Sequence, residues 1–141
     1  MNKLILFMLC SIFITSATVL AGTPEPEAVK KAYTKAEKTC KQIARDHDKM
    51  QGEHKLMFRA WQEKSSPLIT EGEEVLADCN NTLSALKDIT EKLDTIVADD
   101  PLKETLLNDY ENIQSKMKDI AGRHKTLREK HERLFHEMMG H

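Results

Sequence analysis

The chain has 141 residues, which is enough for one modest domain, and its formal net charge is only −2. Acidic and basic residues are interspersed, and no basic stripe of the kind that binds nucleic acid is visible. Four prolines and five glycines are few for this length, and this scarcity favours long helices. Composition and charge therefore argue against a nucleic-acid-binding protein and for a helical one.

The first 21 residues have the three parts of a secretory signal peptide. Lys3 gives a positive start, residues 4–20 are mostly apolar, and Ala21 supplies a small residue at the cleavage position. The alternative is an uncleaved membrane anchor, but serine and threonine interrupt an apolar run already short for a spanning helix of about 20 residues. We therefore expect cleavage after Ala21, export to the periplasm or the extracellular space, and no stable membrane insertion of the mature chain.

Periodicity predicts one all-helical domain over residues 22–141. Apolar or ambiguous side chains recur at alternating spacings of four and three over Val29–Trp61 and again over Leu106–Met138, which is a heptad pattern. A third apolar stripe covers Leu76–Ile96, and no segment alternates with the period of two that marks a strand. The sequence thus predicts an all-α fold, a small bundle or hairpin of three long helices with heptad-like seams.

Proline and capping residues set the expected ends of these helices. Ser65-Ser66-Pro67 and Asp99-Asp100-Pro101 each place a capping side chain before a proline, as at helix N-termini. Gly52 weakens a helix interior by about 1 kcal/mol relative to alanine, and it favours a kink in the first helix. The expected helices lie near residues 25–63, 68–98 and 101–139.

Signal cleavage removes Cys10 and leaves Cys40 and Cys79, and export favours a structural disulfide between them. A hairpin that turns at Ser65-Ser66 would, however, separate these cysteines by about 16 Å along the helices. A disulfide tolerates Cα separations of about 4.4–6.8 Å. Either the first helix breaks near Gly52 and the segment after it folds aside, which we favour, or the bond joins two chains. A reduced pair of core cysteines is the remaining interpretation.

Histidine and methionine occupy seam positions on the first and third helices. If both helices ran straight and parallel, an offset of about 69 residues would place His54 near His124 and Met57 near Leu127. Imidazole binds zinc or copper and thioether sulfur favours Cu(I), so the pattern predicts a metal site of His54, Met57, His124 and His131. The competing interpretation is packing, because both residue types fill small cores. A kink in the first helix would also undo the expected facing.

No motif supports catalysis, since the chain has no glycine-rich phosphate loop, nucleophile elbow or His-Glu-x-x-His sequence. We therefore expect no enzyme. The preferred hypothesis is a small exported interaction module, which binds a protein partner in a chaperone-like way or self-associates as a homodimer, without a cofactor. The alternative hypothesis is an exported copper- or zinc-binding protein that uses the His/Met seam.

Overall fold

The computed structural model describes residues 26–140, which form three α-helices and no strand. The helices are α1 (Pro26–Leu56), α2 (Arg59–Thr95) and α3 (Leu102–Met139). Short connections make neighbouring helices antiparallel, so α1 and α3 run parallel. The prediction of an all-α bundle of three long helices is confirmed. The predicted signal peptide, residues 1–21, lies outside the described residues.

The α1–α2 turn lies earlier than predicted. α1 continues through Gly52 without a break, the chain turns at Met57 and Phe58, and α2 runs through Ser65-Ser66-Pro67. The predicted boundary at residues 65–67 and the favoured break of the first helix near Gly52 are therefore wrong. Packing overrides the local capping signal, because Ser65 is fully buried in the core rather than placed at a helix end.

Local hydrogen bonds explain why the chain can reverse direction at Phe58. Phe58 is extended, with φ −63° and ψ 153°, and its carbonyl accepts from the backbone N–H groups of Trp61 and Gln62, each at 2.9 Å. The Gln62 side chain donates to the carbonyl of His54 at 3.2 Å, which satisfies a carbonyl left free at the end of α1. At the second connection, Asp100 Oδ1 accepts from the Leu102 N–H at 2.9 Å and caps α3, close to where the sequence predicts it.

The earlier turn removes the register problem of the cysteines. Cys40 and Cys79 lie at nearly equal distances from Phe58, their Cα atoms are 5.8 Å apart, and they form a disulfide within the chain. The same register places His54 opposite Ser65 and His47 opposite Gly72. A Cβ added at Gly72 would lie 2.6 Å from Nδ1 of His47, so the glycine makes room for the imidazole.

The core is apolar in one half and mixed in the other. Away from the α1–α2 turn, aliphatic side chains and the disulfide fill it, with Val29, Ile43, Val75, Leu86 and Ile120 among the most buried. The half nearest the turn buries Leu127 together with histidine, methionine and serine, namely His47, Met50, Met57, Ser65, His124, His131 and Met138. Among residues 26–140, no helix is long and apolar enough to cross a membrane.

α2 is the central helix of the bundle. Both α1 and α3 pack closely against α2, whereas they approach each other closely at far fewer positions. The α1–α3 face is therefore the side of the bundle that intramolecular packing covers least.

We expect the Cys40–Cys79 disulfide to stabilise the fold, because the bond closes a long loop between two helices. The double variant Cys40→Ala, Cys79→Ala should lower the free energy of unfolding by about 3–4 kcal/mol in the chain-entropy account. Urea unfolding followed by circular dichroism would measure the loss. The control is the parent protein treated with reductant, which should show a similar loss. Equal unfolding midpoints for the oxidised parent and the double variant would contradict the expectation.

Candidate functional site

The seam histidines gather in the half of the core nearest the α1–α2 turn. His47 and His54 lie on α1, and His124 and His131 lie on α3. Three of them are buried and His54 is half-buried. The mixed half of the core is thus built around imidazoles whose partners determine what it can do chemically.

Asp46 joins α1 to α3. Nε2 of His124 donates a hydrogen bond to Oδ2 of Asp46 at 2.8 Å, and Nη1 of Arg128 lies 3.7 Å from the same oxygen. Burial acts to raise the pKa of Asp46, but the hydrogen bonds from His124 and Gln42, with the charges of His124 and Arg128, hold that pKa below its usual 3.8. The carboxylate therefore stays ionised and binds two side chains of α3.

A heptad-related contact follows nearer the turn. Nδ1 of His131 lies 3.3 Å from Oε2 of Glu53, seven residues beyond the Asp46–His124 contact on both helices. His131 is fully buried, and neither of its ring nitrogens makes a well-aligned hydrogen bond. Burial lowers the pKa of His131 from 6.5, and nearby His54 acts in the same direction while Glu53 opposes it. His131 is consequently a buried base that resists protonation.

His54 and Ser65 form the contact that most resembles catalytic machinery. Nδ1 of His54 lies 2.9 Å from Oγ of Ser65, the geometry of a nucleophile with its general base. Ser65 is fully buried, however, so no substrate can reach its hydroxyl. The hydrogen bond instead satisfies a polar group in the core. The pair was not predicted from the sequence because Ser65 was expected at a helix cap.

The structure aligns the predicted metal ligands differently from the sequence analysis. The Asp46–His124 contact gives an offset of 78 residues between α1 and α3, not about 69. His54 is therefore level with His131, whereas His124 lies about 10 Å away, towards the N-terminus of α3. The expected facing of His54 with His124 is wrong, and so is that of Met57 with Leu127.

Met57 is buried at the turn, at the same end of the bundle as His54 and His131. Among residues 26–140, no group of three or more His, Cys, Asp and Glu side chains is arranged to hold a metal ion. The structure thus keeps three of the four predicted ligands at one end of the bundle and separates His124 from them. Metal binding itself stays a prediction.

A groove between α1 and α3 is the second candidate site. It lies in the apolar half of the bundle, beyond Asp46 from the turn, and has a volume of about 640 Å³. Its lining residues are Ala32, Lys35, Ala36 and Thr39 of α1, with Gln114, Ser115, Met117, Lys118 and Ala121 of α3. Five of these nine residues have small side chains, and a lysine lies on each rim. The sequence signal for it, which we missed, is the run of Ala28, Ala32 and Ala36 at four-residue spacing on one face of α1.

We expect the free energy of unfolding to fall as the pH drops below about 6.5, because the unfolded chain then binds a proton at His131 that the folded chain resists. One such group contributes at most about 1.4 kcal/mol per pH unit. The variant His131→Leu should therefore flatten the pH dependence of urea unfolding, whereas His136→Leu, at an exposed position, should leave it unchanged. An equally steep fall in the His131→Leu variant would contradict this assignment. A separate loss should follow only as the pH falls through the depressed pKa of Asp46, below 3.8.

Comparison with known proteins leaves the site to be interpreted from its own geometry. No protein-family model, curated protein or solved structure matches the chain. Two features of the molecule bear on its function: the groove between α1 and α3 and the histidine-rich half of the core.

Proposed function

We propose that this protein is a small exported interaction module that binds a helix of a partner protein in the groove between α1 and α3. The observation that carries the proposal is the groove itself, which is the least covered face of the bundle and is lined by small and apolar side chains. An amphipathic helix laid into such a groove is a recurring mode of peptide recognition. A fourth helix there would complete a four-helix bundle.

The groove is preformed, which favours binding. The disulfide and the long α1–α2 hairpin fix α1 on one side, and the Asp46–His124 hydrogen bond fixes α3 at the base of the groove. A binding site that is already ordered loses little conformational entropy when its partner arrives. The partner then supplies apolar surface that the three-helix arrangement cannot supply for itself.

Export is the cellular setting of the proposal. A disulfide between buried cysteines suits an oxidising compartment, and the first 21 residues read as a cleavable signal peptide. No constellation in the described residues suggests turnover, since the serine paired with histidine is buried. Binding to one dedicated partner or to several clients in a chaperone-like way is consistent with this setting.

Site-specific photocrosslinking in the producing cell would test the proposal. A benzophenone side chain at Ala121, which lines the groove and is exposed, should give a discrete covalent adduct in the exported fraction. The same group at Ser84, exposed on α2, is the matched control and should give none. Adding Ala32→Trp, which fills the groove, should remove the adduct. The proposal would be contradicted by adducts that form equally from both positions or that persist when the groove is filled.

Binding of a soft metal ion is a second candidate function. The observation in its favour is that His131 is fully buried with neither ring nitrogen well hydrogen-bonded, at the level of His54 and at the same end as buried Met57. Unsatisfied buried polar groups often mark a bound ion or water, and imidazole with thioether suits Cu(I) better than Zn(II).

Titration of the mature protein with Cu(I) and with Zn(II) would test this second candidate. The double variant His54→Ala, His131→Ala should weaken Cu(I) binding at least about tenfold if these imidazoles are ligands, with circular dichroism confirming that it folds. His136→Ala, near the C-terminus, is the matched control. Equal Cu(I) affinity in parent and double variant would show that the seam histidines serve packing alone.

A further inference from the structure

We infer that the partner of the α1–α3 groove is an acidic amphipathic helix of a different protein, with a narrow apolar stripe flanked by glutamate or aspartate. This inference rests on the proposed function, because it assumes that the groove binds a helix. It goes further by naming the chemistry of that helix. Three separate observations support it. They are the charge of the groove rims, the size of the lining side chains and the composition of the protein's own exposed helix faces.

The rims of the groove are basic. Lys35 stands on the α1 rim and Lys118 on the α3 rim, and Lys31 and Lys38 lie beside Lys35 on the outer side of α1. All four lysines are exposed, and none of them has an ion-pair partner within residues 26–140. Unpaired rim charges of one sign select a ligand of the opposite sign.

The acidic side chains near these rims lie outside the groove lining. No Asp or Glu is among the residues that line the groove. On the same face of α3, Glu111 lies about 10 Å along the helix from Lys118. Asp119 and Glu71 line a second depression together with Lys118, but neither of them lines the groove. Asp46 lies at the base of the groove, but His124 and Arg128 already engage it. The surface that faces a docked helix is thus positive on both sides.

The lining residues set the shape of the partner's apolar stripe. Ala32 and Ala36 on α1 and Ala121 on α3 carry only methyl groups, so the backbone of a docked helix can come close at these positions. Met117 adds an adaptable apolar contact. A single row of leucine-sized side chains, at i, i+3 or i+4 and i+7, suits this narrow strip.

Residues 26–140 offer no such helix face to a second copy. Its exposed large hydrophobic residues all lie at helix ends or in connections, namely Leu56, Phe58, Val97, Leu102 and Met139. The outward side of α2 carries polar and acidic residues such as Glu73, Asn81 and Asp88, and its exposed apolar side chains include only small ones such as Ala77 and Ala85. A symmetric groove-to-groove dimer would bring the two lysine rims together, which like charges disfavour. The occupant is therefore another protein.

Two peptides of about 20 residues, stapled to hold their helices, would test the inference against the disulfide-bonded mature protein. Both carry the same leucine stripe, one flanked by glutamates and the other by lysines, and fluorescence anisotropy measures their affinities. We expect the glutamate peptide to bind at least about tenfold more tightly at low salt, with the difference shrinking at high salt. The double variant Lys35→Glu, Lys118→Glu should weaken the glutamate peptide about tenfold. The variant Lys116→Glu, Lys130→Glu, with the same charge change elsewhere on α3, should leave it nearly unchanged.

The outcomes separate the inference from the proposed function. Equal affinity for both peptides, abolished in each case by Ala32→Trp, would overturn the acidic partner and keep the groove. Binding unaffected by Ala32→Trp, or no binding of either peptide up to about 1 mM, would overturn both. Light scattering that shows a dimer dispersed by Ala32→Trp would identify a second copy as the occupant and overturn the inference. Tighter binding to anionic lipid vesicles, lost in the Lys35→Glu, Lys118→Glu variant, would also overturn it.

Discussion

The carboxylate of Asp46, bound by His124 and approached by Arg128, determines how α3 sits against α1. It fixes the offset between these parallel helices, and with it the position of every later contact between them, including that of His131 with Glu53. Beyond it, towards the helix N-termini, the groove opens between the two helices. One polar contact thus divides the α1–α3 face into a closed end and an open end.

The closed end combines specificity with a cost in stability. Buried ionic and imidazole contacts contribute less to stability than to fixing one register between helices. In addition, His47 and His131 make no well-aligned hydrogen bond within the described residues. The apolar half and the Cys40–Cys79 disulfide supply the stability that such a core lacks. One half of the bundle is therefore rigid and carries the proposed binding face. The other half contains titratable side chains that fix how α1 and α3 are placed at that face.

The heptad seams were sufficient to predict the fold class and the number of long helices, and the Asp99-Asp100-Pro101 signal predicted the capped start of α3. They were not sufficient for the α1–α2 boundary, because Ser65-Ser66-Pro67 carries a strong local capping signal that burial of Ser65 against His54 overrides. The error in the position of this turn changed the expected register between the helices. The expected register therefore separated Cys40 from Cys79. It also paired His54 with His124, whereas His54 lies level with His131. The groove escaped prediction because it depends on which pair of helices packs least, a tertiary property that periodicity does not carry.

The central claim is that the open end of the α1–α3 face receives a helix. Backbone amide chemical-shift mapping of the isotope-labelled mature protein, titrated with the glutamate-flanked peptide, tests it most directly. The account predicts shifts confined to Ala32–Thr39 of α1 and Gln114–Ala121 of α3, with the Asp46–His124 end and α2 largely unmoved. Shifts centred on the exposed apolar residues Leu56, Phe58 and Met139 at the turn end, or spread evenly over all three helices, would contradict it.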